Sequence, residues 1–207
     1  MLFRSVSQSR YLHNTWTEEQ KVAHWNKFVE KALSDEKDIE KTSIEIFNAQ
    51  EKLVLENLNE ATKSLKTQVM GVKATPKGVL PTMAQLNKMW GELETLLTEI
   101  YGKRGQEALD ELVDDVDFNI TTEFAVQYLQ EYAGELITTI NSTTRDALKA
   151  TLAEGFDNGE SVAKLAKRVK EVFAVATTSR ALLIAQTESI KAANAAAVEA
   201  YRQSGVS

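Results

Sequence analysis

The sequence predicts an all-α protein, elongated in outline, with a long N-terminal helical arm and a C-terminal multi-helix domain. Three observations carry that prediction. Two prolines and nine glycines in 207 residues leave few breakpoints, and helix-tolerant residues fill the intervals. Apolar or small residues recur at steps of three and four from Thr17 onward, the spacing of one helix face. The 43% hydrophobic and 26% charged residues are an ordinary globular mixture, which excludes wholesale disorder and fibrous repeats. A compact chain of this length buries roughly 70% of its unfolded surface, enough for a core.

Residues 1–16 lack periodicity and read as a mobile or partner-dependent arm. Thr17 can cap a helix whose first turn holds Glu18 and Glu19, which favour the positive end of the helix dipole. An amphipathic stripe continues through Val22, Trp25, Val29, Ala32, Glu36, Ile39, Ser43, Ile46, Gln50, Leu53, Asn57, Ala61, Leu65 and Val69. Ser34-Asp35 and the charge-rich run to Lys41 mark the expected break in it. Residues 71–81 hold both prolines and form the expected linker between the arm, residues 1–70, and the C-terminal domain.

Residues 82–138 are an acidic helical segment, with two basic and twelve acidic residues counted from 92 to 138. Thr82 and Gln85 form an expected capping box opening a helix through Met89, Trp90, Leu93, Leu97 and Ile100, ended by Gly102. A shorter helix is expected over Gln106 to Val116. Asp117 or Asn119 caps the next, running through Phe124, Tyr128, Leu129, Tyr132, Leu136 and Ile140, with Gly134 a weak point. Residues 139–207 restart at Asn141-Ser142-Thr143-Thr144, with a helix through Leu148 and Leu152 ending at Gly155. Asp157-Asn158-Gly159 is a turn, and Ser161 opens a helix with Val162, Leu165, Val169, Val172 and Phe173 on one side. Thr177-Thr178-Ser179 is a third cap candidate, leading into an alanine-rich last helix, Arg180 to Gln203, with Gly205 as its C-cap. Small side chains permit close helix approach, so this helix is expected at the centre.

Chemistry is constrained mainly by what is missing. Zero cysteines exclude disulfides, thiolate metal sites and a thiol nucleophile, and permit a reducing compartment. Met1 to Arg10 lacks the apolar run of a standard secretion signal, and no stretch approaches the ~20 apolar residues of a membrane span. His13 and His24 have no HExxH spacing. The run Asp110, Glu111, Asp114, Asp115, Asp117 and Asn119 lacks the mid-loop glycine and terminal glutamate of an EF-hand. No GxxxxGK[ST], GxGxxG or GxSxG occurs, and Gly102-Lys-Arg-Gly105 reads as a helix-to-helix turn. We therefore assign no catalytic, cofactor-binding or metal-binding residue and expect no enzyme; a site made only of Asp114, Asp115 or Glu188 is the remaining enzymatic reading and is disfavoured.

Lys164, Lys167 and Arg168 share one helix face opposite the apolar stripe. Such a face can touch phosphates without reading bases, although the solvated side of an amphipathic helix explains it more simply. A net charge of −6 and pI of 5.2 argue against a nucleic-acid-coating protein. Three phosphate contacts limit the log-log salt slope to about −3, so DNA binding would be weak and non-specific unless several protomers act together.

Thr143-Thr144-Arg145, Leu152-Ala-Glu-Gly155, Gly159-Glu-Ser161, Leu165-Ala-Lys-Arg168, Val172-Phe173, Arg180-Ala-Leu-Leu-Ile-Ala-Gln-Thr-Glu188, Asn194 and Glu199-Ala-Tyr-Arg-Gln-Ser-Gly205 together resemble the bacteriophage head morphogenesis family of Mu F-like minor head proteins. The likeness covers about a third of the chain. Residues 1–70, with Trp16, Trp25 and Phe47-Asn-Ala-Gln-Glu, resemble the helical region that precedes this domain, in some members the tail of a fused portal protein. The resemblance implies a virion protein at the portal vertex inside the head, made in the host cytoplasm. It acts in head assembly or genome delivery, without catalysis and with no membrane or cofactor. Its implied partners are the portal protein, a capsid or scaffold protein, further copies of itself once assembled, and packaged DNA weakly. Members commonly continue past the Tyr-x-x-Ser-Gly element into a Trp- and His-bearing segment, so the resemblance implies that residues 139–207 are truncated. Arg180, Thr187, Glu188 and Asn194 fall on or beside one face of the last helix and are expected to form a buried polar network fixing helix register, with a ligand or portal contact as the alternative. A helical scaffold or adaptor of non-phage origin would need only the amphipathic stripes.

Overall fold

The computed structural model describes residues 16–67 and 78–205. The expected arm over residues 1–15, with Arg4, Arg10 and His13, the end of the stripe at Val69 and residues 71–77 of the expected linker lie outside the described residues. Regular structure among the described residues is all helical: α1 (Glu18–Thr67), α2 (Met83–Met89), α3 (Gly91–Asp110), α4 (Glu123–Gln127), α5 (Ala133–Asp157), α6 (Val162–Val175) and α7 (Ala181–Ser204). Single π-helical turns, Tyr128–Tyr132 and Ala176–Arg180, carry α4 into α5 and α6 into α7 without a loop.

The chain divides into two compact units, and neither is a continuous stretch. One comprises Met1–Ile39, Glu94–Tyr132 and Ala185–Ser207, the other Glu40–Leu93 and Ala133–Ile184. The sequential segments 1–70, 82–138 and 139–207 are each distributed over both units.

Helix α1 opens as its sequence predicts. The Thr17 N–H donates to Gln20 Oε1 at 2.9 Å and the Gln20 N–H donates to Thr17 Oγ1 at 3.2 Å, a reciprocal cap. The expected break at Ser34-Asp35 is absent, and α1 runs unbroken for 50 residues, about 75 Å at 1.5 Å per residue. Asp35 breaks helices when its carboxylate competes for nearby backbone N–H groups. Here it is held by Arg104 instead. What changes near this point is the packing, which passes from one unit to the other between Ile39 and Glu40.

The buried line along α1 also departs from the expected stripe. It coincides at Ile39, Ser43, Ile46 and Gln50, but runs through Asp35 before them and Val54 and Leu58 after them. Leu53 and Asn57 are only half-buried, and Val22 and Trp25 are exposed. Most steps along Asp35, Ile39, Ser43, Phe47, Gln50, Val54 and Leu58 are of four residues, so the line drifts around the helix. A fixed 3.6-residue period follows a straight stripe and loses it at both ends.

In the unit containing Glu40–Leu93 and Ala133–Ile184, Thr82 and Gln85 form the predicted capping box. The helix they open stops at Trp90 rather than Gly102. Trp90 leaves helical geometry (φ −89°, ψ 1°) and is fully buried edge-on against Phe47, with ring centroids 5.3 Å apart. Its indole Nε1–H donates to Asn141 Oδ1 at 2.8 Å, which also accepts from Gln50 Nε2 at 3.0 Å; Asn141 Nδ2 donates to Asn87 Oδ1 at 2.8 Å. This network explains why Asn141-Ser142-Thr143-Thr144 does not restart a helix. Asn141 spends its amide on tertiary partners, while the Ser142 and Thr143 hydroxyls donate to Thr139 O and that of Thr144 to Ile140 O inside α5.

Helix α5 ends at Asp157, two residues beyond Gly155. A Cβ on Gly155 would lie 2.5 Å from Leu165 Cδ2, so this glycine serves the close approach of α5 and α6 rather than helix termination. Gly159 supplies the positive φ of the turn (+62°), and the Ser161 hydroxyl caps α6 by accepting from the Lys164 N–H. The cap expected at Thr177-Thr178-Ser179 is not made. The Thr177 and Thr178 hydroxyls donate back to Phe173 O and Ala174 O, and the backbone passes through a π-turn. Gly205 closes α7 with φ +67°.

In the other unit, α3 runs through Gly102 to Asp110 and absorbs the start of the shorter helix expected from Gln106. A Cβ on Gly105 would overlap the Phe118 ring, whereas one on Gly102 would meet Ile120 Cγ2 at an ordinary 3.5 Å. Gly105 admits the segment that returns after Asp110. Thr122, rather than Asp117 or Asn119, caps α4 by accepting from the Ala125 N–H. The Asn119 carboxamide instead accepts from the Thr121 N–H and hydroxyl. The alanines of α7 are buried as expected at Ala192, Ala193, Ala196 and Ala200, with Ala196 packed beside Tyr101 and Ala125.

Gly→Ala inside a helix ordinarily stabilises by about 1 kcal/mol. Gly102→Ala should follow that rule, while Gly105→Ala should destabilise by about 1–3 kcal/mol through overlap with Phe118. Chemical denaturation of the two variants checks the opposite signs, and stabilisation by both would refute the close approach.

Candidate functional site

The residues singled out in the sequence fall in different settings. Ser161 starts α6 so that Lys164 and Lys167 project from its exposed side. Arg168 is not equivalent to them. Its Nε donates to Glu160 Oε2 at 2.7 Å and its Nη2 to Glu160 Oε1 at 2.8 Å, while Nη1 reaches Glu154 Oε2 at 3.1 Å and Thr151 Oγ1 at 3.3 Å. Those bonds hold the Glu160 carboxyl below the usual glutamate range and push the Arg168 guanidinium above its own. Lys167 lies 3.9 Å from Glu171. The basic face therefore offers less positive charge to a phosphate than its three residues imply, because Arg168 is already neutralised by two carboxylates.

Arg180, Thr187, Glu188 and Asn194 do not converge in one buried network. Arg180 ends the second π-turn, half-buried, with Nη1 donating to Thr144 Oγ1 at 2.7 Å. Glu188 is buried, with Lys191 Nζ 3.6 Å from its carboxylate. Thr187 is half-buried and Asn194 is exposed. A periodicity argument places such residues on a helix face but cannot say how far neighbouring helices cover that face.

A cleft that sequence reasoning missed lies in the unit containing Met1–Ile39, Glu94–Tyr132 and Ala185–Ser207. It has a volume of about 320 Å³ and lies between the first part of α1, the end of α3 and the last turns of α7. Phe28 and Ala32 of α1, Ala108 of α3 and Ala193 and Ala197 of α7 give it an apolar lining. Its polar edge is organised by Arg104, only 7% exposed. Arg104 Nε and Nη2 grip the two Asp35 oxygens, each at 2.7 Å, and Nη1 donates to Glu107 Oε2 at 2.7 Å. Lys31 Nζ also meets Glu107, at 2.8 Å. Burial raises the Glu107 carboxyl's pKa, but the bonds from Lys31 and Arg104 outweigh it and leave the group below its usual value. His24 Nδ1 stands 3.7 Å from Glu111 Oε1. Phe28 and Ala32 one turn apart, with Lys27 and Lys31 alongside, were the available sequence signal; their partners lie more than seventy residues away.

Deeper in the same unit, Tyr101 stacks on Tyr128 at 5.2 Å between ring centroids, and burial, reinforced by the Glu199 charge, pushes its pKa up to about 12. Glu199 accepts from the Thr122 hydroxyl at 2.6 Å and from Gln203 Nε2 at 3.0 Å. The acidic run after α3 folds around Gln106, which donates to Asp110 Oδ1 and Val116 O and accepts from the Phe118 N–H. Among the described residues, no group of three or more His, Asp or Glu side chains is placed to hold a metal ion. No helix among them is long and apolar enough to cross a membrane.

The Arg104 cluster can be probed from its other side. Asp35→Ala leaves a buried guanidinium without its bidentate partner and should cost about 3 kcal/mol of stability, measured by urea denaturation. A loss under about 1 kcal/mol would place the pair among surface ion pairs. Comparison with protein-family models, with curated proteins and with solved structures gives no match for this chain.

Proposed function

We propose that the chain is a phage minor head protein, a structural and assembly factor at the portal vertex that takes part in head morphogenesis and genome delivery. The observation that supports this reading most is the form of α7, which carries Ala181-Leu-Leu-Ile-Ala-Gln-Thr-Glu188 directly after Arg180 and Glu199 to Ser204 before Gly205. Ile184, Ala185, Glu188, Ala192, Ala196 and Ala200 are buried along it, while Ile190, Val198 and Tyr201 are between 47% and 49% exposed. A helix that is packed on one side and carries uncovered apolar side chains among the polar ones elsewhere supports cover by a partner. The charged clusters around Arg104 and Arg168 are closed ion pairs rather than arrays converging on a reacting atom, which favours assembly over catalysis.

Under this reading the portal protein is the main partner, with capsid or scaffold protein and further copies of the chain as secondary ones inside the virion. Packaged DNA is a minor ligand. With Arg168 neutralised, Lys164 and Lys167 support a salt slope of only about −2 per protomer, so DNA contact requires several protomers presenting that face together.

The test is co-sedimentation of the chain with a purified portal ring encoded beside it. Stoichiometric association is expected. Ile190→Asp and Val198→Asp should abolish it while shifting Tm by less than about 2 °C, as exposed positions do. A chain that stays free of the ring, or a double variant that binds as well as the parent, would contradict the proposal.

A further inference from the structure

Arg104 and Arg168 use the guanidinium in the same way. In each, Nε and Nη2 form a flat edge that takes both oxygens of one carboxylate, Asp35 for Arg104 and Glu160 for Arg168. In each, Nη1 takes a second partner, and for Arg168 one of these is the hydroxyl of Thr151 on α5. Arg180 repeats half of this pattern. Its Nη1 donates to the hydroxyl of Thr144, seven residues before Thr151 on α5. Among the described residues, no carboxylate stands against its Nε–Nη2 edge.

This incomplete clamp sits in a distinctive place. Arg180 ends a π-helical turn, a feature that tends to accompany functional sites. It is half-buried, and that burial alone lowers its pKa, with no carboxylate to offset the loss of hydration. Val175 and Leu183, 58% and 63% exposed, flank it along the helix, with exposed Thr178 and Ser179 between them. A fork-shaped cation with uncovered apolar residues five positions before it and three after it is complementary to an acidic side chain in an apolar setting. A phosphate dianion is ordinarily met by more than one cation.

We propose that the Nε–Nη2 edge of Arg180, flanked by Val175 and Leu183, is a docking point for an aspartate or glutamate carboxylate of a protein partner, held bidentately as Asp35 and Glu160 are held by Arg104 and Arg168. The assignment does not depend on what the partner is, and it stands apart from the portal reading.

Nitrogen-15 NMR of arginine Nε–Hε groups reads this edge directly. The Arg180 signal is identified by its loss in Arg180→Met. On titration with sodium acetate against sodium chloride at equal ionic strength, the Arg180 signal should shift and saturate, while those of Arg104 and Arg168 stay in place. The blocked tripeptide acetyl-Leu-Glu-Leu-amide should produce the same shift with about tenfold tighter binding, since each flanking leucine can bury apolar area. Arg180→Met should keep or raise Tm, because it removes a partly dehydrated charge and only one hydrogen bond, to an uncharged hydroxyl. An unmoved Arg180 signal, equal movement of all three arginines, or a stronger response to inorganic phosphate than to acetate would overturn the carboxylate assignment. A tripeptide that binds no tighter than acetate would overturn the protein-partner assignment. A Tm loss in Arg180→Met above about 5 °C would show that the arginine serves the fold.

Discussion

Two hydrogen bonds of 2.7 Å from Arg104 to Asp35 decide how α1 runs through its first half. An aspartate in the middle of a helix usually turns its carboxylate to its own backbone, and a serine just before it strengthens that tendency. The guanidinium takes the carboxylate first, so α1 continues and its buried line can pass through a charged residue. The same pair locates Arg104 in α3, one position before the glycine at which the Phe118 ring comes close. Asn141 plays the corresponding part in the second unit. Its carboxamide is occupied by Gln50, Trp90 and Asn87, which keeps α5 helical through four residues that would otherwise favour a cap. In both places a buried polar group is satisfied by a partner distant in sequence, and a helix persists where local preference would end it.

That contrast separates what could be read from the sequence from what could not. Local devices were legible because cap and donor lie within four residues: Thr17 with Gln20, Thr82 with Gln85, Ser161 with Lys164, and the positive φ of Gly159 and Gly205. Helix ends assigned from internal glycines or from Ser/Thr runs were not. Gly105 and Gly155 are used for proximity, Gly102 lies inside α3, and Thr143 and Thr177 bond back along their own helices. The real interruption, at Trp90, carries no local signal, since a large apolar residue in an amphipathic stripe reads as helix interior. The cleft lined by Phe28, Ala108 and Ala197 was equally hidden, because its walls come from three segments far apart in the sequence.

The charged residues divide in the same way. Arg168 was legible as part of a basic face, yet its partner Glu154 lies on α5, across the turn at Gly159, and the return of α6 on α5 brings it to Arg168 beside Glu160 of the turn. Lys31, Glu107 and Arg104 form a comparable cluster on the other unit. Charge is largely balanced inside each cluster, while Val22 and Trp25 on α1, and Ile190, Val198 and Tyr201 on α7, are apolar side chains left exposed.

The continuity of α1 through Asp35 is what the Arg104 pair enforces, and amide hydrogen exchange reads it residue by residue. Slow exchange should extend without a gap from Leu33 to Lys41, at protection close to that of the neighbouring turns on either side. Rapid exchange confined to that stretch, with protection resuming at Ser43, would show two helices joined by a hinge and would contradict the account.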